Sequence, residues 1–218
     1  KVEYLVKDLQ KKYNLSSEQT YRLKYYIIKE FNNQKLSKIR AYKAKHFSFN
    51  VDGGRCETCN GEGEVTIGMQ FMADVHLVCE TCNGKRFKKE ILEVKFEEKS
   101  ISDILDSTID EAISFFTLHN QRKIINKLQP LKDVGLGYVK LGQASSTLSG
   151  GEAQRIKLAS FLVKGITKDK VLFIFDEPTT GLHFHDIKKL LDSFNALLGK
   201  GHTIIIIEHN IELIKCAD

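Results

Sequence analysis

Four cysteines stand in two copies of the hexapeptide CETCNG, giving the pattern C-x2-C-x19-C-x2-C: Cys56, Cys59, Cys79 and Cys82. Two cysteines two residues apart can bend around one cation, and four thiolates complete a closed tetrahedral shell of the kind structural Zn²⁺ takes. The glycine two residues after each pair allows a tight turn beside the metal. A duplicated motif in a glycine-rich stretch argues against a redox C-x-x-C. The expected metal is therefore structural, with no position left open for water. The fifth cysteine, Cys216, reads as a small packed side chain.

A second group lies in LSGGEAQR, Leu148 to Arg155. Ser149 and Glu152, three apart, form a capping box that starts a helix. Its body carries Ala153, Ile156, Ala159 and Phe161 or Leu162 on one face. Gly150 and Gly151 in the first turn cost helix stability, up to ~1 kcal/mol each. They also let a ligand approach a helix N-terminus, where exposed N–H groups and the helix dipole favour an anion. Yet the 218 residues contain no G-x-x-x-x-G-K-[ST] phosphate cradle.

The third group is VLFIFDEPTTGLH (171–183), which places Asp176 and Glu177 at the carboxyl end of an apolar strand, the ligand edge of an α/β sheet. One carboxylate there can hold Mg²⁺ through water, and its neighbour can orient an attacking water or take its proton. TIIIIEHN follows, putting His209 just past the next strand, in reach of a γ-phosphate.

The elements that must position these groups can be read more coarsely. Residues 1–52 hold no Gly or Pro. Val2, Leu5, Val6, Leu9 and Tyr13 recur at helical spacing, and a second helix is expected over about 17–31, capped by Ser16 or Ser17. HFSFNV reads as a short strand, and so does ILEVKF (91–96). EVTIGMQFMADVHLV alternates as a hairpin would, with Met69, Phe71 and Met72 expected to pack. Helix caps are expected at Ser102 and Thr108, and Pro130 breaks the helical pattern. The last seventy residues alternate helix and strand as βαβ units of a parallel sheet do. VLFIF and TIIII read as strands covered on both faces. Between them Ile187, Leu190, Leu191, Phe194 and Leu198 form one apolar stripe, ended by Gly199 or Gly201. Four segments result: a basic, mainly helical 1–50; a metal-binding module at 51–95; a helical region at 96–165 ending in the LSGGE helix; and 166–218, which carries the carboxylates and His209.

Charge adds a partner class. The formal net charge is +5, and residues 1–50 hold 12 Lys+Arg against 4 Asp+Glu. A basic segment can meet a polyanion or simply be a solvated helix face. Arg55, Lys85, Arg86, Lys88 and Lys89, near the second knuckle, are candidate phosphate contacts, offset by Glu93, Glu97 and Glu98. No run of eighteen apolar residues and no signal-peptide core occurs, so a soluble cytoplasmic protein without a membrane partner is expected.

In this order these motifs resemble the ABC-type ATPases, and more closely the C-terminal half of the UvrA family, the damage-recognition subunits of the bacterial excinuclease. FSFNVDGGRCETCNGEG, CETCNGKRF, DVGLGYVKLGQASSTLSGGEAQRIKLA, FDEPTTGLH and IIIIEHN carry the resemblance, over residues 35–218. It implies an α/β fold: part of a P-loop NTPase-like parallel sheet, with an inserted helical signature domain and a zinc-knuckle module. Ser149, Gly150, Gly151 and Glu152 would form the signature loop, with Gln154 and Arg155 beside it, closing over ATP held by another cassette. Asp176 would match the Walker B carboxylate for Mg²⁺, Glu177 the catalytic base, His209 the switch histidine, and residues 179–183 the D-loop. Cys56, Cys59, Cys79 and Cys82 would hold zinc. The implied partners are damaged double-stranded DNA, a second cassette or UvrA protomer, and UvrB; the implied setting is nucleotide excision repair and the SOS response. The family carries its phosphate loop upstream of the zinc module. The chain is therefore expected to be a fragment of a longer ATPase, and inactive when isolated. The alternatives are a DNA- or protein-binding module without turnover and a UvrA-like drug-resistance paralogue.

Overall fold

A computed structural model describes residues 25–69, 74–144, 147–164 and 170–217. The chain divides into two compact units, residues 24–106 and a unit built from residue 107 onward. The first 24 residues, with the helix start expected at Ser16 or Ser17, and Phe71 and Met72 lie outside the described residues.

In the first unit, residues 25–33 (α1) and Lys35–Ile39 (α2) are helical. Phe31, fully buried, packs against Phe47 and Phe96 at ring-centroid distances of 5.9 and 6.4 Å. This contact explains why HFSFNV is not a strand. Ala44–Phe47 forms a 3₁₀ turn, with the His46 ring nitrogen accepting from the Lys43 N–H at 2.9 Å, and the turn drives Phe47 inward. The expected hairpin is present: Glu64–Ile67 (β1) pairs antiparallel with Val75–Val78 (β2). Both its faces are exposed, and so is Met69, which does not pack as expected. ILEVKF is also not one strand. Lys89–Leu92 (α3) is a helical turn, followed by a two-residue ladder of Lys95–Phe96 (β3) and Lys99–Ser100 (β4). Ile101–Asp106 (α4) is capped by Ser100, not Ser102: Ser100 and Asp103 exchange hydrogen bonds from Ser100 N–H (2.8 Å) and Asp103 N–H (3.3 Å).

The second unit opens with Ile109–Leu118 (α5), whose capping box of Thr108 and Glu111 is the expected one. Arg122–Asp133 (α6) runs through Pro130 rather than ending before it. The proline falls in the last turn, so the one intrahelical bond that its missing N–H forfeits lies near the helix end. Gly150–Lys164 (α7), Leu172–Asp176 (β5), Phe184–Leu198 (α8), Thr203–Ile207 (β6) and Ile211–Ile214 (α9) follow in order. The strands β5 and β6 are parallel, in a register that sets Asp176 opposite Ile207. The α8 stripe buries Ile187, Leu190, Phe194 and Leu197, while Leu198 is exposed beside the C-cap at Gly199.

One face of this two-stranded sheet is covered. Phe173 meets Phe161 of α7 edge-on at 4.8 Å, and Phe175 meets Phe194 of α8 at 4.9 Å. The opposite face is not covered: Leu172, Ile174, Ile205 and Ile207 are about half exposed. Apolar runs alone suggested burial on both sides. Within this chain Phe175→Ala should destabilise the second unit by about 3–5 kcal/mol, a large-to-small core change. Ile174→Ala on the open face should cost less than about 1 kcal/mol. Urea unfolding of the two variants checks the contrast.

Candidate functional site: a metal-capable cysteine cluster and a carboxylate–histidine sheet edge

In the first unit the two knuckles repeat one backbone. After each second cysteine comes an asparagine with positive φ (Asn60 at 51°, Asn83 at 49°), then a glycine (Gly61 at 85°, Gly84 at 78°). A Cβ on Gly61 would also lie 2.3 Å from the Phe49 carbonyl oxygen, so the glycine is required twice over. The repeats face each other. Cys56 and Cys79 sulfurs lie 3.9 Å apart, those of Cys59 and Cys82 3.6 Å, and the Thr58 hydroxyl donates to that of Thr81 at 2.9 Å.

All four sulfurs are buried and lie within 4.8 Å of one another, so they can hold a metal ion. A tetrahedron of Zn–S bonds sets sulfurs about 3.8 Å apart, and the two measured pairs bracket that value. They are too far apart for disulfides. The thiols are poised unequally. N–H groups of Cys82 and Thr81 hold the Cys79 thiol down to about 7, while burial pushes Cys82 up to about 12. A cation is what would let all four be thiolates together.

Around the knuckles the candidate phosphate contacts differ. Arg55 pairs with Asp52 at 2.7 Å and donates to the Asn60 carbonyl; Lys88 pairs with Glu57; Arg86 sits over the Phe49 ring at 5.2 Å. Lys85 and Lys89 are exposed.

In the second unit the signature-like loop has the expected cap. The Ser149 N–H donates to Glu152 at 2.8 Å, and the Glu152 N–H to the Ser149 hydroxyl at 3.2 Å. Glu152 also accepts from the Tyr138 hydroxyl at 2.7 Å. Burial works against its ionisation, but these bonds and nearby Arg155 outweigh that and hold its pKa below the ordinary value. A Cβ on Gly150 would meet nothing within 4 Å, whereas one on Gly151 would approach the Arg155 guanidinium at 3.2 Å and the Thr180 carbonyl oxygen at 3.4 Å. Gly150 is thus open to a ligand and Gly151 lies against the next loop.

Gln154 and Arg155 tie α7 to the segment after β5. The Gln154 side chain donates to the Asp176 carbonyl at 2.8 Å and accepts from its N–H at 3.1 Å, extending the edge of β5 by one amide. Arg155 is fully buried. Its guanidinium donates to the carbonyls of Pro178 (2.7 Å) and Thr180 (3.2 Å) and to the Tyr138 hydroxyl (3.3 Å).

Past β5 the chain turns sharply. Glu177 has φ of 47°, a left-handed conformation unfavourable for a non-glycine residue and one that surrounding structure must enforce. Its N–H donates to the Ile207 carbonyl at 2.9 Å, and its carboxylate lies 3.5 Å from the His209 Nε2. Asp176, Glu177 and His209 are brought together at the carboxyl edge of the sheet, exposed to an incoming ligand. Sequence reading missed Glu208, whose carboxylate accepts from Thr179, His209 and Asn210. The only signal was a carboxylate directly beside the histidine.

A family model described as ABC transporter matches residues 58–180. UvrABC system protein A of Clostridium perfringens is 53% identical over 204 residues, 93% of this chain and 21% of that protein. Its Bacillus subtilis counterpart is 56% identical over 182 residues, 84% of this chain and 19% of that protein. The crystal structure of UvrA2 from Deinococcus radiodurans superposes with a TM-score of 0.78 at 43% identity, covering 87% of this chain and 23% of that one. The chain spans about a fifth of the length of the curated relatives it matches. A 204-residue match takes in part of residues 1–34, so the likeness extends further upstream than the motifs alone indicated.

Removing Arg155 would strand two carbonyls and leave a void. Arg155→Ala should lower the stability of the second unit by about 2–4 kcal/mol, and Arg155→Lys, which cannot span both carbonyls, should recover less than half of it. Urea unfolding followed by tryptophan-free probes such as far-UV circular dichroism reads both.

Proposed function

The chain belongs to the ABC family, on the branch of the UvrABC system protein A relatives, and on that premise we propose that it is a segment of a UvrA-type DNA-damage-recognition ATPase of nucleotide excision repair. The observation that carries the reading is the set of Asp176, Glu177 and His209 at one sheet edge, tied through Gln154 and Arg155 to a capped Ser149–Glu152 loop. Bound Mg²⁺–ATP would supply the phosphoryl group to be hydrolysed. Asp176 would hold the metal through water, Glu177 would orient a water and take its proton, and His209 would donate toward the terminal phosphate. Gly150, open to ligand, and the N–H groups that begin α7 would receive the phosphates of ATP held by another cassette.

The cysteine cluster is proposed to hold structural zinc through Cys56, Cys59, Cys79 and Cys82. Damaged double-stranded DNA would meet the first unit at Lys85, Lys89 and the exposed hairpin, with Arg55, Arg86 and Lys88 adding charge beside them. The proposed partners of the whole protein are a second UvrA protomer and UvrB, in the cytoplasm. Among the described residues no helix is long and apolar enough to cross a membrane.

A second reading, a DNA- or protein-binding module without turnover, is favoured by one observation: the sequence has no G-x-x-x-x-G-K-[ST] segment. By the same observation the isolated chain binds ATP poorly and does not hydrolyse it. Fluorescent ATP with Mg²⁺, titrated into this chain and into a form extended upstream, tests the proposal. Binding by the extended form alone is expected, with hydrolysis lost in Glu177→Gln. Tight binding by the short chain would mean that a different phosphate cradle exists. Hydrolysis unchanged by Glu177→Gln would remove the ATPase reading of this site.

The metal has its own test. Purified chain should carry one zinc per molecule by elemental analysis. Cys79→Ser should lose it, and chelation should cause loss of structure in the first unit, since closed zinc sites contribute folding free energy directly. Iron in place of zinc, or retention of structure after complete chelation, would count against the assignment.

A further inference from the structure

Four donors converge on one carboxylate, that of Glu208, which lies inside TIIIIEHN directly before His209. Oε1 of Glu208 accepts from the Thr179 N–H at 2.9 Å and from the Thr179 hydroxyl. Oε2 accepts from the N–H groups of His209 at 2.8 Å and Asn210 at 3.0 Å. One oxygen therefore serves the loop after β5 and the other serves the loop after β6. Among the described residues no Lys or Arg forms an ion pair with it, so its charge is met by backbone and hydroxyl donors. Half-burial works against ionisation of Glu208, but the Thr179 hydroxyl and the three N–H groups outweigh it and hold the pKa below its ordinary value of 4.5. The side chain is a permanent acceptor at neutral pH.

The two loops so joined carry the residues on which turnover depends. Glu177 lies two residues before Thr179, and His209 directly follows Glu208. The 3.5 Å approach of the Glu177 carboxylate to His209 requires both loops to keep their spacing. The left-handed turn at Glu177 is a conformation that persists only when neighbours over-determine it. Its N–H bond to Ile207 fixes one side of the turn, the Thr180 N–H bond to the Glu177 carbonyl at 3.1 Å closes it, and Glu208 holds the residue between.

We propose that Glu208 is a positioning residue: its two carboxylate oxygens bridge the Thr179 loop to the His209 loop and set the Glu177–His209 geometry used in ATP hydrolysis. This rests on the ATPase reading given above. A glutamine could not substitute. Its amide has one accepting oxygen and one donating nitrogen, so one of the two loops would face a donor with its own N–H groups.

The test uses the full-length protein that contains this segment. ATP hydrolysis is measured for wild type, Glu208→Gln, Glu177→Gln, Thr179→Val and Thr179→Ser. Turnover is expressed per nucleotide site, titrated with a non-hydrolysable analogue. Glu208→Gln should lower turnover per site at least about tenfold while KM stays within about threefold, the pattern of a lost transition-state interaction. A merely structural role would lower the number of sites and leave turnover per site unchanged, and that outcome overturns the proposal. Should Glu208→Gln fail to fold, the threonine pair decides. Thr179→Val, without the hydroxyl that Glu208 accepts from, should turn over more slowly per site than Thr179→Ser, and equal rates overturn the assignment. If Glu177→Gln removes hydrolysis while Glu208→Gln and Thr179→Val do not, the positioning role alone fails. If Glu177→Gln also hydrolyses normally, the ATPase reading fails and the positioning role with it.

Discussion

The buried guanidinium of Arg155 is the constraint around which the second unit is arranged. A full positive charge with no exposed surface must be met by acceptors, because an unpaired buried ion costs several kcal/mol (about 3–5 when one partner of a pair is removed). Here the acceptors are main-chain carbonyls of Pro178 and Thr180 and the Tyr138 hydroxyl. To present those carbonyls inward, the segment after β5 has to turn back on itself. That requirement is consistent with the left-handed backbone of Glu177 and the positive φ of Gly181, 76°. The same helix that carries Arg155 begins at the Ser149–Glu152 cap, and Glu152 meets the other side of Tyr138.

Glu208 answers Arg155 from the other direction. Arg155 supplies donors to the loop after β5, and Glu208 supplies acceptors to it and to the loop after β6. Neither residue forms an ion pair among the described residues; each directs most of its hydrogen bonds to the backbone and one to a hydroxyl. Such charge-assisted bonds are stronger than neutral ones and fix the shape of the loops they join. The first unit solves its own version of the problem with sulfur. A small hairpin module with both faces exposed has little apolar core, and four buried thiols from two copies of one knuckle bring its ends together.

Several elements were legible because their signals are local. The Thr108–Glu111 and Ser149–Glu152 boxes need only a hydroxyl and a carboxylate three residues apart. The cysteine quartet needs only spacing, and the parallel β5–β6 pair only apolar runs flanking an amphipathic helix. Other elements depended on distant partners. HFSFNV alternates like a strand, but Phe47 is claimed by Phe31 and the segment winds into a 3₁₀ turn. Of the stripe expected on α7, Ala159 is buried, whereas Ala153, Ile156, Phe161 and Leu162 are only half-buried and Arg155 and Leu158 are buried in their place. Arginine is ordinarily a surface residue, and its burial rests on carbonyls more than twenty positions away.

Residue types and their spacing already spell out the chemistry present: four cysteines at metal spacing, a capped glycine loop, and two carboxylates and a histidine at strand ends. These follow from residue type and short-range spacing, which the chain carries in one dimension. How those groups are held emerges from the packed fold. It placed Glu208 between two loops, buried Arg155 against backbone carbonyls, and left one face of the sheet and both faces of the hairpin uncovered. Those outcomes depend on contacts between segments far apart in the chain, and no spacing along the sequence records them.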